Sequence, residues 1–212
     1  GLGDDVITID TTGGTNAVYG EQGADRITIT GDSRSVVFGD QGSLRIDRQT
    51  GLRTRARGGV NTETDGIDTI STGTGADVIF GGGMADIIRG GSGSDLIVGD
   101  GGYFAFENDE VPTASPIIDI EAISIRGPGG SDILFGEGGD DVIFGGIGDD
   151  NIDGGAGDDQ IVGDIGKDVL YGGSGADDIY GDKGRDTIFG YRDPLAGPDT
   201  ADTADAAADG GD

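Results

Sequence analysis

The chain has 212 residues, of which 47 are glycine, 6% are aromatic and 33% are hydrophobic, which is little apolar material for a conventional globular core. With 41 acidic and 13 basic residues, its formal charge of −28 disfavours nucleic acid as a partner and favours cations. Histidine and cysteine are absent, which excludes disulfides, thiolate metal sites, Ser-His-Asp triads and cysteine nucleophiles.

The N-terminal region, residues 1–47, contains loose copies of a nine-residue pattern. Gly20–Thr28 is an example, with glycine first and fourth, aspartate sixth and isoleucine eighth. We therefore predict degenerate repeats in this region. The chain opens inside such a repeat at Gly1–Asp5, so we expect it to be part of a longer polypeptide. No apolar run approaches the ~18 residues of a transmembrane helix.

Residues 48–62 interrupt the pattern with a basic segment that follows the turn Gly39–Gly42. Two short strand-like runs, 44–47 and 52–57, flank a turn near 49–51, which predicts a hairpin projecting from the repeats. The arginines of this region are Arg45, Arg48, Arg53, Arg55 and Arg57.

Residues 63–102 repeat the pattern in a regular register. Nonapeptides begin at positions 63, 72, 81 and 90, and each has aspartate sixth and isoleucine eighth. The unit predicts a tight turn followed by a three-residue strand, because glycine permits positive φ angles and close contact between stacked turns.

Residues 103–126 form a second interruption after the turn Gly99–Gly102, and it is acidic. Runs at 103–106 and 117–125 around a turn at 108–110 again predict a hairpin. Its acidic residues include Glu107, Asp109, Glu110, Asp119 and Glu121. Two coils separate the insertions, so we expect both on the same side of the molecule. Their opposite charges permit packing in cis or pairing between chains, although the sequence favours independent solvated loops.

Residues 127–190 contain seven uninterrupted nonapeptides, each with aspartate sixth and isoleucine or leucine eighth. Side chains alternate across a strand, so the eighth residue should face inward. Two nonapeptides then form one coil of 18 residues, with strands on opposite faces and coils about 4.8 Å apart. The predicted fold is all-β, a right-handed parallel β-roll (a β-solenoid) with a core of two files of isoleucine and leucine.

Two further features surround these repeats. Ninth-position aromatic residues are predicted to face outward, where they either stack on one another or form a contact stripe for sugar or protein. They are Phe135, Phe144, Tyr171, Tyr180 and Phe189. Residues 191–212 are rich in alanine, aspartate and glycine, which predicts an acidic disordered tail. The sequence leaves open whether this tail is a secretion signal.

The pattern resembles the repeats-in-toxin (RTX, hemolysin-type) family of secreted calcium-binding proteins, whose nonapeptide appears intact at Gly90–Val98 and Gly172–Tyr180. The resemblance implies several Ca²⁺ ions between stacked turns, held by sixth-position aspartates two repeats apart and by turn carbonyls. An all-oxygen donor set independently suits Ca²⁺ better than Mg²⁺ or Zn²⁺. The implied aspartate pairs are 132 with 150, 141 with 159, 150 with 168, 159 with 177, 168 with 186, 68 with 86 and 77 with 95.

The candidate metal residues comprise eleven aspartates and six first-position glycines. They are Asp68, Asp77, Asp86, Asp95, Asp132, Asp141, Asp150, Asp159, Asp168, Asp177, Asp186, Gly90, Gly136, Gly145, Gly154, Gly163 and Gly172. Other acidic residues of the turns, such as Glu137, Asp140 and Asp164, are interpreted as solvated surface, with auxiliary ligation as the alternative. We expect folding to be coupled to Ca²⁺ binding.

The sequence predicts no catalytic site and no catalytic or cofactor-binding residue other than the calcium ligands. We expect a folding, secretion and structural module of an extracellular protein, secreted or on the surface of a Gram-negative bacterium, and the family implies type I secretion. The main alternative is a self-assembling surface-layer, filament or adhesin scaffold. Less favoured readings are an enzyme whose catalytic domain lies outside this chain, and ice binding. Self-association and contact with cell-surface glycans remain open.

Overall fold

The structure is a computed structural model that describes residues 1–46, 48–49, 52–59, 64–105, 129–191 and 203–205. These residues form a parallel β-solenoid of about eight turns, as predicted. Among them there is no helix that could cross a membrane.

Two parallel sheets form the opposite faces of the solenoid. Sheet A contains eight strands, β1 Val6–Thr11, β3 Arg26–Gly31, β7 Thr69–Ser71, β9 Ile87–Ser92, β12 Ile133–Gly138, β14 Asn151–Ala156, β16 Val169–Ser174 and β19 Thr187–Tyr191. Sheet B contains nine, β2 Thr15–Tyr19, β4 Arg34–Phe38, β8 Val78–Gly82, β10 Leu96–Asp100, β13 Val142–Ile147, β15 Gln160–Gly166, β17 Asp178–Tyr180, β18 Lys183–Gly184 and β20 Thr203–Asp205.

Successive coils are in register at a spacing of 18 residues through the regular repeats, as predicted. Ile70 pairs with Ile88 and Ile143 with Ile161, for example. The insertions leave this register intact, because β3 pairs directly with β7 and β9 directly with β12 across 43 and 46 residues. The first coil is longer, with 20 residues between partners in β1 and β3.

The fourth-position glycines allow one turn to stack closely on the next. Gly157 has a φ of +140°, and a Cβ at this position would collide with the carbonyl oxygen of Gly139 in the preceding coil. Any larger residue would therefore strain the backbone and separate the coils.

The core between the two sheets consists of the eighth-position aliphatic residues. They form one continuous buried file from each sheet, as predicted, including Ile70, Ile88, Leu134, Ile152 and Leu170 from sheet A and Ile79, Ile97, Ile143, Ile161 and Ile179 from sheet B. Nearly all are fully inaccessible to solvent, so each coil contributes two aliphatic side chains to a thin core.

A second apolar layer covers the outer face of sheet B, which the sequence interpretation did not anticipate. It includes Val36, Phe38, Val78, Phe80, Leu96, Val98, Val142, Phe144 and Val162. The signal was present in the sequence, because alternate nonapeptides differ at positions seven and nine. Those of sheet B carry pairs such as Val78 and Phe80, whereas those of sheet A carry pairs such as Thr69 and Ser71.

The first insertion forms the predicted hairpin. Strands β5 Gly42–Ile46 and β6 Arg53–Gly58 pair antiparallel, and β11 Tyr103–Ala105 pairs antiparallel with β6. Ala56 and Leu44 pack into the second apolar layer. Gly58 lies so close to Phe80 that a Cβ on it would be 2.9 Å from the Cβ of Phe80, so glycine allows the hairpin to lie flat on the roll.

The second insertion begins as part of the same three-stranded sheet rather than as an independent solvated loop. Its first strand, β11, is the neighbour of β6, so the two insertions do emerge on the same side. The remainder of the predicted acidic hairpin, residues 106–126, lies outside the described residues, as do its acidic side chains.

The ninth-position aromatic residues divide between the two faces. Phe144 is buried in the second apolar layer, and Tyr180 packs against that layer, so the prediction that they face solvent is wrong for this sheet. On sheet A, Tyr171 stacks on Phe189 with ring centroids 4.9 Å apart, and the Arg89 guanidinium lies over the Phe135 ring. Of the predicted tail, only Tyr191 and β20 are described, and β20 pairs with β17.

Candidate metal sites

The sixth-position aspartates line the two edges of the solenoid, where turns lead from one sheet into the other. Each Oδ1 accepts the backbone N–H of the equivalent residue one coil earlier. Asp150 accepts from Asp132 at 2.8 Å and Asp159 accepts from Asp141 at 2.9 Å, for example. The same bond joins residues 68 and 86, 77 and 95, 150 and 168, 159 and 177, and 168 and 186. All seven predicted pairs are therefore neighbours in space.

These two rows of stacked aspartates, the aspartate ladders, also contain pairs that the spacing alone did not reveal. Asp86 donates its backbone N–H to Asp132 and Asp95 donates to Asp141, both across the second insertion. Asp25 of the degenerate repeats donates its backbone N–H to Asp68 across the first insertion. Asp25 occupies the sixth position of the Gly20 nonapeptide, so the motif itself could have identified it.

The second carboxylate oxygen of these residues, Oδ2, is buried without a hydrogen-bond donor. Among the described residues, Oδ2 has no hydrogen-bond partner in Asp25, Asp68, Asp77, Asp86, Asp95, Asp132, Asp141, Asp150, Asp159 and Asp168. A buried oxygen without a donor is costly, and an ionised one is more so. A cation bound to these oxygens would take the place of the missing hydrogen-bond donors.

Each unpartnered Oδ2 atom faces a gap between neighbouring turns, and the first-position glycines form the other wall of this gap. A Cβ built on Gly145 would lie 2.5 Å from Oδ2 of Asp150 and 2.7 Å from the carbonyl oxygen of Gly163 in the next coil. The same arrangement recurs at Gly90, Gly136, Gly154, Gly163 and Gly172. Each predicted glycine thus keeps open a space into which a carboxylate and a backbone carbonyl point, whereas any side chain would fill it.

Burial strongly raises the pKa values of these carboxyl groups. Desolvation is the main cause throughout, and it raises the pKa of Asp150 to about 7, of Asp132 to about 8 and of Asp86 to about 10. For Asp86 the neighbouring carboxylates of Asp132 and Asp68 add to the shift. A metal-free ladder would hold protons near neutral pH that a bound cation would displace.

Three second-position aspartates, interpreted from the sequence as surface or not considered, are also withdrawn from solvent, since Asp40 and Asp100 are buried and Asp164 is half-buried. Asp40 accepts the backbone N–H groups of Gly83 and Gly66, and Asp100 accepts those of Ile147 and Gly130. Asp164 has an unpartnered buried Oδ2, and burial raises its pKa to about 7. The shared signal is a Gly-Asp dipeptide at or near the C-terminal end of a sheet B strand.

The donor set of these gaps consists entirely of oxygen, from carboxylates and backbone carbonyls. Hard oxygen donors in an adaptable arrangement suit Ca²⁺, whose ligands lie at about 2.3–2.6 Å. The residues present therefore fit Ca²⁺, and the paired aspartates and the glycine carbonyls would hold it. The bound ion would supply positive charge where the fold buries negative charge.

The solenoid and its carboxylate ladders define a parallel β-roll of stacked nonapeptide repeats. The RTX calcium-binding nonapeptide repeat, a family description of four repeat copies, matches residues 64–97, 127–161 and 153–188. Residues 64–97 and 127–188 therefore form an RTX calcium-binding repeat region. No curated protein gives a significant match.

Proposed function

We propose that this chain is a calcium-dependent folding module of a secreted or cell-surface bacterial protein. One observation carries the proposal, which is the row of buried aspartates whose Oδ2 atoms have no donor and face glycine carbonyls. Without a cation, folding must either bury these charges or protonate them, and both are unfavourable near neutral pH. Ca²⁺ removes this penalty, so its binding free energy becomes folding free energy.

The location follows from the metal. Extracellular calcium modules typically bind in the range of about 10⁻⁴–10⁻³ M. A chain with such sites would stay unfolded where Ca²⁺ is scarce and fold where it is abundant. RTX repeats suggest a secreted bacterial protein, and we propose that export in the unfolded state, by type I secretion from a Gram-negative cell, precedes folding outside.

We also propose that the chain carries no catalysis of its own. It has no histidine or cysteine, and most of the buried carboxylates that the structure describes belong to the ladders. Any enzymatic activity would then belong to other parts of a longer protein. The self-assembling scaffold stays a prediction, which calcium-dependent oligomers in light scattering would support.

A calcium titration followed by circular dichroism tests the folding module. The metal-free chain at pH 7.5 should give a disordered spectrum, and millimolar Ca²⁺ should produce a β-sheet spectrum together with a smaller hydrodynamic radius. Mg²⁺ at the same concentration is the control and should produce little folding, because it demands a tighter octahedral site. A chain fully folded in chelator would contradict the proposal.

A further inference from the structure

The outer face of the three-stranded sheet concentrates positive charge on an otherwise acidic protein. Arg45, Arg55 and Arg57 are exposed on this face. The residues that alternate with them, Leu44 and Ala56, pack against the roll instead. The hairpin thus uses its apolar face to attach to sheet B and presents these three arginines to solvent, whereas Arg53 is buried.

Two of these arginines face each other across the hairpin. Arg45 and Arg55 are direct cross-strand partners, about 4.8 Å apart at the backbone. Like charges in this position destabilise a sheet. Arg57 lies two residues further along the same strand, between Ser43 and Tyr103 on the neighbouring strands. Among the described residues, neither Arg55 nor Arg57 forms an ion pair. An anionic partner with several charges would relieve this repulsion.

The other groups on this face are polar or aromatic. The Arg55 guanidinium lies 4.8 Å from the centroid of the Tyr103 ring, which helps to hold it in place. Ser43 contributes an exposed hydroxyl group. The row formed by Ser43, Arg45, Arg55, Arg57 and Tyr103 includes no large aliphatic side chain, and the exposed aliphatic residues of the hairpin, Ile46 and Leu52, lie beside its turn. Guanidinium groups beside a ring and a hydroxyl group suit a charged carbohydrate.

We propose that this arginine face binds an acidic polysaccharide, with the guanidinium groups of Arg45, Arg55 and Arg57 pairing with its sulfate or carboxylate groups. Arginine presents a planar fork of donors that matches such anions in a bidentate manner. The acidic roll repels the same polymer elsewhere, which confines binding to the hairpin. This surface goes beyond the proposed folding function, and it depends on that function only because the roll must be folded.

Binding to dextran sulfate, with uncharged dextran as the control ligand, tests this surface on the calcium-saturated chain. Dextran sulfate should bind with an affinity that falls as salt is raised, and dextran should not bind. The variant R45Q/R55Q/R57Q should weaken binding by at least about tenfold, because three charge-assisted contacts are lost. The matched variant R26Q/R34Q/R185Q removes three exposed arginines of the roll and should stay within about twofold of wild type.

Equal losses in the two triple variants would overturn the proposal, because charge alone would then explain binding. So would binding to anionic phospholipid vesicles without binding to dextran sulfate. The calcium titration by circular dichroism reports separately whether each variant folds, so a failure of the folding proposal is distinguishable. If the R45Q/R55Q/R57Q variant does not fold, Arg57→Gln alone provides the test, and wild-type affinity in that variant contradicts the proposal.

Discussion

Each ladder aspartate joins two functions in one side chain. In Asp150, Oδ1 accepts the N–H of Asp132 and so fixes the distance between coils, while Oδ2 is left for a cation. Its neighbour Asp149 is exposed, and its Oδ1 accepts the N–H of Lys167. Each of these adjacent residues therefore accepts one backbone N–H, Asp150 from the preceding coil and Asp149 from the following one, but only Asp150 buries a second oxygen.

The substitution Asp150→Asn separates these functions. Asparagine keeps an oxygen for the N–H of Asp132 but places an amide where Oδ2 stood, so one charged ligand is lost. We expect the free energy of unfolding in fixed millimolar Ca²⁺ to fall by about 1.5–3 kcal/mol, the size of a hydrogen bond to a charged group. Urea denaturation measures it. Asp149→Asn is the matched control and should change stability by less than about 0.5 kcal/mol. Equal effects of the two would show that the buried oxygen has no special role.

At the scale of strands and turns, one buried aspartate closes each insertion. Asp100 accepts the N–H of Gly130, where the chain returns from the second insertion, and that of Ile147 in the next coil. Asp40 makes the corresponding contacts at the first insertion. In the following coil the register partner of Asp100 is Gly146, whose missing side chain makes room for the carboxylate. The insertions are thus clamped at their bases.

Asp100→Asn should loosen the second insertion without unfolding the roll. The amide can accept only one of the two N–H groups, which leaves a buried donor unsatisfied at a cost of about 1–3 kcal/mol. Hydrogen exchange of the amides of Gly130 and Ile147 in calcium should accelerate. Asp182→Asn changes the same register position three coils beyond Asp100 and serves as the control. Unchanged protection in Asp100→Asn would mean that the clamp does not hold the insertion.

The nonapeptide period was sufficient to predict the strands, the inner core and the pairing of ladder aspartates, because all three depend on residues that recur at fixed positions. The pairing of Asp86 with Asp132 could not be read from spacing, since an insertion of unknown path separates them. The second apolar layer was missed for a different reason. Positions seven and nine vary from one nonapeptide to the next, and their regularity appears only over 18 residues. Phe144 therefore looked exposed although a neighbouring sheet was available to cover that face.

For the whole molecule, electrostatics and folding are coupled through the two ladders. Aspartate in an unfolded chain has a pKa of about 3.9. In the metal-free roll, burial raises the pKa of Asp77 to about 6, of Asp159 to about 8 and of Asp95 to about 9. The folded state therefore binds more protons than the unfolded state between about pH 4 and these values. Its stability must decrease as the pH rises through this window.

In chelator, the chain should consequently gain β-sheet signal when the pH is lowered from 8 to 5 and lose it on return. In saturating calcium this pH dependence should largely disappear, because the ion keeps the ladder carboxylates deprotonated in the folded state, as they are in the unfolded chain between pH 5 and pH 8. Circular dichroism at constant ionic strength measures both trends, with light scattering to exclude aggregation at the lower pH. The pH dependence in chelator and the behaviour in calcium have one cause, since protons and Ca²⁺ compete for the same buried oxygens. A metal-free chain that is more folded at pH 8 than at pH 5 would show that the ladders are not the groups that limit folding.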